Sequence, residues 1–316
     1  MPDSYIPPIT PEASTESHDD RLRYYARKLQ RHPTLTSWKQ PLRAARTFLP
    51  SLWRLATHEF RHLPSVVMVG AQKAGTTQLY AHLVKHPRLF PAWKKEVSYF
   101  SKHAERPVRW YRSQFPLSRR VAAAGGQTLD ASPSYLPTPA ALRKMHLVLP
   151  DARVIAVLRD PVARAFSHYQ HYKTRRLESR SFEQAVEDEL RQKAFPPQFG
   201  VALRPDAAAL LGYVARGYYA LQLELLFALY PPTRVLIVDS ADLFADTGRV
   251  CQDVFTFLGL EPFAVRPTKV YNRGYYQEKV DPLVAERLRE HYRAYDEMLT
   301  QLIGRPLGWM AKPLAA

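Results

Sequence analysis

The stretch Val66-Val-Met-Val-Gly70-Ala-Gln-Lys73-Ala-Gly75-Thr76-Thr77-Gln-Leu-Tyr80 constrains this chain more than any other. A β-branched run ends in two glycines and two threonines and passes into apolar residues at helical spacing (Leu79, Tyr80, Leu83, Val84). That pattern predicts strand, tight loop and helix. Such a junction suits an anion, because loop glycines let backbone N–H groups converge at the positive end of a helix while Lys73 adds a point charge. Spacing narrows the choice of anion. In the nucleotide loop G-x-x-x-x-G-K-[S/T], the lysine follows the second glycine and reaches the β- and γ-phosphates. Gly70 and Gly75 keep that separation and Thr77 keeps the hydroxyl, but Thr76 occupies the lysine position and Lys73 lies inside the loop. A cation placed there suits a single 5′-phosphate rather than a triphosphate tail.

A second motif follows: Val154-Ile-Ala-Val-Leu-Arg159-Asp160-Pro161-Val-Ala-Arg164-Ala-Phe-Ser167. A buried strand delivers Arg159, Asp160 is placed to cap the next helix with Pro161 at its first position, and Ser167 follows two turns in. The fixed fork of an arginine suits a terminal phosphate, and a hydroxyl supplies a further donor.

In this order the two motifs resemble those of the sulfotransferases, which use 3′-phosphoadenosine 5′-phosphosulfate (PAPS) as sulfuryl donor. The resemblance covers about residues 64–309, with carbohydrate and heparan-type enzymes nearest in pattern. It implies that Gln72, Lys73, Ala74, Gly75, Thr76 and Thr77 cradle the 5′-phosphosulfate. It also implies that Arg159 and Ser167 bind the 3′-phosphate, and that Tyr219, in Gly217-Tyr218-Tyr219, belongs to the cofactor site. Lys269, Asn272, Arg273 and Gly274 fall where the family has a basic loop closing on the nucleotide, although basic loop residues can equally be solvated. Lys95-Glu96-Val97-Ser98-Tyr99-Phe100 matches a family segment K-E-x-H-F-F whose glutamate deprotonates the acceptor. Glu96 is thus the implied base or, failing that, a solvated acid among lysines; Ser98 replaces the usual histidine. The alternation from Glu96 to Phe100 reads as strand. Asp130-Ala131-Ser132-Pro133-Ser134-Tyr135 corresponds to E-K-S/T-P-x-Y, with Ala131 in the lysine position, so one acceptor contact of some glycosaminoglycan enzymes is missing. If Glu96 is structural, His168 and Asp130 are the next candidate bases.

At 316 residues and 46% hydrophobic content, the chain can bury one α/β core plus an extension. Strands alternating with helices predict a doubly wound, P-loop-like parallel sheet flanked by helices, with ligand at the carboxyl ends of the strands. The expected organisation is a disordered start over 1–20, a basic and partly helical extension over 21–63, and the catalytic domain over 64–316. One helix is expected over 282–303, and the Phe-Pro-Pro-Gln-Phe-Gly region within 194–206 is either a lid or a connector.

The net charge of +16 favours anionic partners. Much of it lies between Arg21 and Arg61, where basic residues interleave with Trp38, Phe48, Leu52, Trp53 and Phe60 and the single acid is Glu59. That segment can pack on the domain or touch an anionic membrane peripherally, and no motif points to nucleic acid. One cysteine, Cys251, fits a reducing compartment, and no signal peptide or membrane span is visible, so a cytoplasmic protein is expected. No metal is expected, since histidines and cysteines do not cluster and Lys73 would supply the positive charge. The expected function is sulfuryl transfer from PAPS to a hydroxyl or amine of a glycan or small molecule. The alternatives are a P-loop kinase, or a non-catalytic basic membrane protein resting on residues 21–61.

Overall fold

The computed structural model describes residues 50–191, 212–265 and 278–310. The chain divides into two units, Met1–Leu52 and Trp53–Ala316. Of the first only residues 50–52 are described, as helix. The second holds the sheet.

Among the described residues, five strands form that sheet: β1 (Val66–Gly70), β2 (Leu89–Pro91), β3 (Gln127–Ala131), β4 (Arg153–Leu158) and β5 (Val235–Asp239). The order is β2-β3-β1-β4-β5, and every pairing is parallel. Central β1 is covered on both faces, with Val66, Val67, Met68 and Val69 fully buried, so its sequence is a continuous apolar run rather than an alternation. From β1 the chain goes to the β2–β3 side of the sheet, and from β4 to the β5 side. The order therefore reverses between β1 and β4, where an open parallel sheet leaves a crevice at its carboxyl edge.

The helices expected from the sequence flank the sheet. α1 (Thr76–Leu83) follows β1, α2 (Pro139–Val148) precedes β4, and α3 (Pro161–Lys173) follows it. The Asp160 carboxylate accepts from the Val162 N–H at 3.0 Å, and Pro161 opens α3. α4 (Phe182–Arg191) starts on a capping box, in which Ser181 Oγ accepts from Gln184 N–H (3.1 Å) and Gln184 Oε1 from Ser181 N–H (3.0 Å). α5 (Tyr219–Leu229) is apolar around most of its circumference, broken only by Gln222 and the exposed Glu224, because it packs against both α2 and the long helix α6 (Pro282–Ile303). α6 matches the range read from the sequence and stops at Gly304, whose φ of +72° is a left-handed cap. Gly308 N–H then donates to Asp239 Oδ2 at 2.6 Å, which ties the carboxyl-terminal segment to the end of β5.

The segment from Glu96 to Phe100 is not a strand. Glu96 and Ser98 have φ of +31° and +51°, and Tyr99–Lys102 is a short helical turn. The reason is packing: a strand would send Tyr99 and Phe100 to opposite faces, whereas both are buried against Tyr111, Tyr99 stacked at 4.6 Å and Phe100 edge-on at 5.0 Å.

Residues ahead of β1 are hydrogen-bonded into the same unit. Arg54 donates to Ser113 O and Phe115 O, both at 2.8 Å, and the buried Arg61 donates to Phe115 O at 2.9 Å. A chain beginning at Pro64 leaves both carbonyls without these donors, at about 1–3 kcal/mol for each group left unsatisfied. It is expected to melt several degrees below a chain beginning at Trp53. Equal melting temperatures would show that water replaces the guanidinium groups without loss.

Candidate active site

Both motifs read from the sequence end on the switch-point crevice. Parallel pairing of β1 with β4 sets Gly70 beside Ala156, and Ala71 N–H donates to Val157 O at 2.6 Å. Residues 71–75 and 159–161 are thereby brought side by side. The loop turns tightly on two left-handed residues, Lys73 (φ +72°) and Gly75 (φ +100°). Gly75 has a second constraint, because a Cβ there would lie 3.1 Å from Leu243 and 3.2 Å from Phe244. At Gly70 a Cβ would lie 2.7 Å from Leu136 Cβ, so the strand end itself needs glycine.

Arg159 Nη1 donates to Lys73 O at 3.0 Å and fastens the loop to the end of β4. Gln72 Oε1 accepts from Arg216 Nη1 at 3.0 Å. Burial first, and then Arg164, pulls the Arg216 guanidinium down to about 10. The Ala74 N–H is engaged with Ala71 O (3.2 Å) and its side chain is buried, so Ala74 shapes the loop rather than facing the crevice.

The crevice is a cleft of about 1670 Å³ whose wall includes Gln72, Lys73, Gly75, Thr76, Thr77, Glu96, Arg159 and Ser167. Ser167 and His171 lie four residues apart on α3 and face it together, while Arg164 and His168 of the same helix are fully buried. Burial lowers the Lys73 ammonium below its ordinary value, and the positive charges of Arg159 and Arg175 lower it further. His171 is lowered by burial, Lys73 and Arg175, with Glu96 acting in the opposite sense. Lys73, Arg159 and Arg175 thus form a cationic wall with His171 and Glu96 within its field. Lys95 connects the two sides, donating to Thr77 Oγ1 at 3.2 Å and contacting Glu96 Oε1 at 3.4 Å.

Other expectations fall elsewhere. Tyr219 is buried and lies off the cleft wall, its ring 6.2 Å from that of Trp309. His168 is fully buried between Tyr172 and Tyr213, and burial together with Arg164 and Arg216 holds it well below its ordinary value. Asp130 is fully buried as well, and burial raises its carboxyl against three hydroxyl hydrogen bonds. Neither of these reaches the cleft as a base. Ser98 and Ala131 are also buried. Lys269, Asn272, Arg273, Gly274 and the region 194–206 lie outside the described residues, as does the basic segment ahead of residue 50.

His171, Arg175, Lys95 and Arg216 were missed from the sequence. His171 had a usable signal, one helical turn after Ser167, and Lys95 had another, next to Glu96. Arg216 had none, since its link to Gln72 spans 144 residues.

A sequence profile of the sulfotransferase domain matches residues 63–294. The chain belongs to the sulfotransferase family. Members of that family draw the sulfuryl group from PAPS. The sulfotransferase is similar to human bifunctional heparan sulfate N-deacetylase/N-sulfotransferase 3, 30% identical over 63% of the chain and 23% of that protein. It is also similar to human heparan sulfate glucosamine 3-O-sulfotransferase 6, 28% identical over 79% of the chain and 74% of that protein. The chain therefore spans about a quarter of the first relative and three quarters of the second. In fold it resembles a sulfotransferase from Alicyclobacillus acidocaldarius, with a TM-score of 0.62 at 24% identity, covering 79% of this chain and 99% of that one. Among the described residues of the sulfotransferase, no helix is long and apolar enough to cross a membrane, and no group of three His, Cys, Asp or Glu could hold a metal.

Proposed function

We propose that this sulfotransferase transfers a sulfuryl group from PAPS to a hydroxyl or amine of a glycan, by in-line displacement. The observation that carries the proposal is the convergence, in one cleft, of Lys73, Arg159 and Ser167 with Glu96. The cationic wall fits an anionic donor. Lys73, Arg159 and Arg175 lie close enough for the two guanidinium groups to depress the Lys73 ammonium, and a bound phosphate relieves that repulsion. When bound, PAPS supplies an electrophilic sulfuryl group on a phosphate leaving group. The N–H groups of Thr76 and Thr77 open α1 and suit the 5′-phosphate. Lys73 neutralises charge on the departing oxygen, while Arg159 and Ser167 hold the 3′-phosphate. Glu96 accepts the acceptor proton. The glycan acceptor is favoured by the two human relatives, whose names place their action on heparan sulfate.

Three measurements test this reading. 3′-Phosphoadenosine 5′-phosphate (PAP) at a hundredfold excess over its Kd is expected to stabilise the chain by about 2.7 kcal/mol, and ATP with magnesium is not. Radiolabelled PAPS offered with glucosamine-containing oligosaccharides and simple alcohols or amines then identifies the acceptor. Labelling of none of them would overturn the glycan assignment. Arg159→Ala and Ser167→Ala are expected to raise the donor KM more than they lower kcat, because the 3′-phosphate is remote from sulfur and held alike in ground and transition states. An unchanged donor KM in both variants would remove them from the donor site.

A further inference from the structure

Asp130 stands near the end of β3, opposite Val67 of β1, fully buried. Three hydroxyl groups hold it: Ser132 Oγ donates to Oδ1 at 2.7 Å, and Tyr111 and Tyr135 each donate to Oδ2 at 2.9 Å. Two of these hydroxyls also accept. Ser98 N–H donates to Ser132 Oγ at 2.9 Å, and Tyr99 N–H donates to Tyr135 Oη at 2.8 Å. A hydroxyl carries one proton, so each that accepts from a backbone N–H turns that proton toward Asp130. The direction of both relays is fixed: backbone N–H to hydroxyl to carboxylate.

The anchored N–H groups come two and three residues after Glu96. Glu96 and Ser98 have φ of +31° and +51°, a conformation that residues with a side chain keep only where their surroundings impose it. The Glu96 side chain is 45% exposed, and its contact with Lys95 is long at 3.4 Å. Its place in the cleft is therefore set by its backbone.

We propose that Asp130 is a positioning residue for Glu96, its carboxylate acting through the Ser132 and Tyr135 hydroxyls to hold the 96–99 backbone in the left-handed turn that presents Glu96 to the cleft. The catalytic part of this rests on Glu96 being the proton acceptor. Asparagine at 130 has nearly the same shape but only one acceptor oxygen, and its NH₂ would face a hydroxyl proton, so at least one relay must break.

The test compares Asp130→Asn in the full chain and in a Glu96→Gln background. Hydrogen exchange at residues 98–99 is followed by mass spectrometry, together with PAP binding and sulfuryl transfer from PAPS to de-N-sulfated heparan sulfate. Asp130→Asn is expected to speed exchange at 98–99 while leaving that of residues 76–83 unchanged, and to keep the PAP Kd within about twofold. It is expected to lower kcat by about 10- to 100-fold, the scale of a misplaced catalytic group. On Glu96→Gln it should cost less than about twofold more, because residues that act as a unit are not additive. Tyr135→Phe and Ser132→Ala, which each remove one relay and little volume, should move in the same direction, and they carry the test if Asp130→Asn does not fold. Unmoved exchange at 98–99 overturns the proposal. So does a loss as large on Glu96→Gln as on the native chain, or a loss of PAP binding in parallel with rate, which would mark a general structural role. Full activity in Glu96→Gln alone would remove the base assignment, while exchange at 98–99 would still report whether Asp130 holds the turn.

Discussion

Lys73→Ala is expected to lower kcat by roughly 10²- to 10³-fold, equivalent to about 2.7–4 kcal/mol, with every acceptor offered. The expectation follows from where the lysine is held. Its backbone is left-handed, and its carbonyl is fastened to Arg159 at 3.0 Å, so the ammonium extends from a fixed point of the loop. It is also a charge that the free protein stabilises poorly, since burial, Arg159 and Arg175 all depress its pKa. Negative charge growing on a departing phosphate oxygen reverses that penalty as the S–O bond breaks, and an interaction that strengthens on the way to the transition state appears in kcat. The check is kcat with two acceptors of different acidity, plus PAP-induced stabilisation. A loss that varies with acceptor acidity would move Lys73 from the leaving-group end of the transfer to the acceptor end.

Glu96→Gln acts on the other end. It is expected to keep PAP binding and to lose about 10²- to 10⁴-fold in rate with an alcohol acceptor, the range for removal of a positioned general base. A nitrophenol, which ionises without help, should escape part of that loss if the cleft admits it. Amide for carboxylate preserves the shape of the side chain and its contact with Lys95 while removing the charge that accepts a proton. Equal losses for both acceptors would make Glu96 structural. His168 and Asp130, the alternatives visible in the sequence, are buried off the cleft and could not replace it. His171, on the cleft wall within the field of both Lys73 and Glu96, would be the group to substitute next.

How much of the fold and the site was legible in the sequence depended on how local each signal is. Gly70, Lys73, Gly75 and Thr77 specify a strand, loop and helix within a dozen residues, and the structure has them as read. The cap at Asp160, the capping box at Ser181 and the range of α6 are equally local: a side chain meets its own backbone, or a helix stops at a glycine. The misreading at Glu96 to Phe100 shows the limit. Its alternation fits a strand, but burying Tyr99 and Phe100 together against Tyr111 outweighs the local preference.

The sequence by itself determined the two loop motifs, the alternation of strand and helix and the family. Each is carried by residues near one another along the chain, where spacing is geometry. Tertiary structure decided the rest. Parallel pairing of β1 with β4 places Lys73 against Arg159, 86 residues away. The helical phase of α3 turns Ser167 and His171 to the cleft and Arg164 and His168 inward. Burial makes Asp130, which on sequence could have been a base, the fixed end of a hydrogen-bond relay. The physical reason is that charge, proton affinity and aim belong to a side chain's surroundings, and those surroundings are assembled from segments that only the fold brings together.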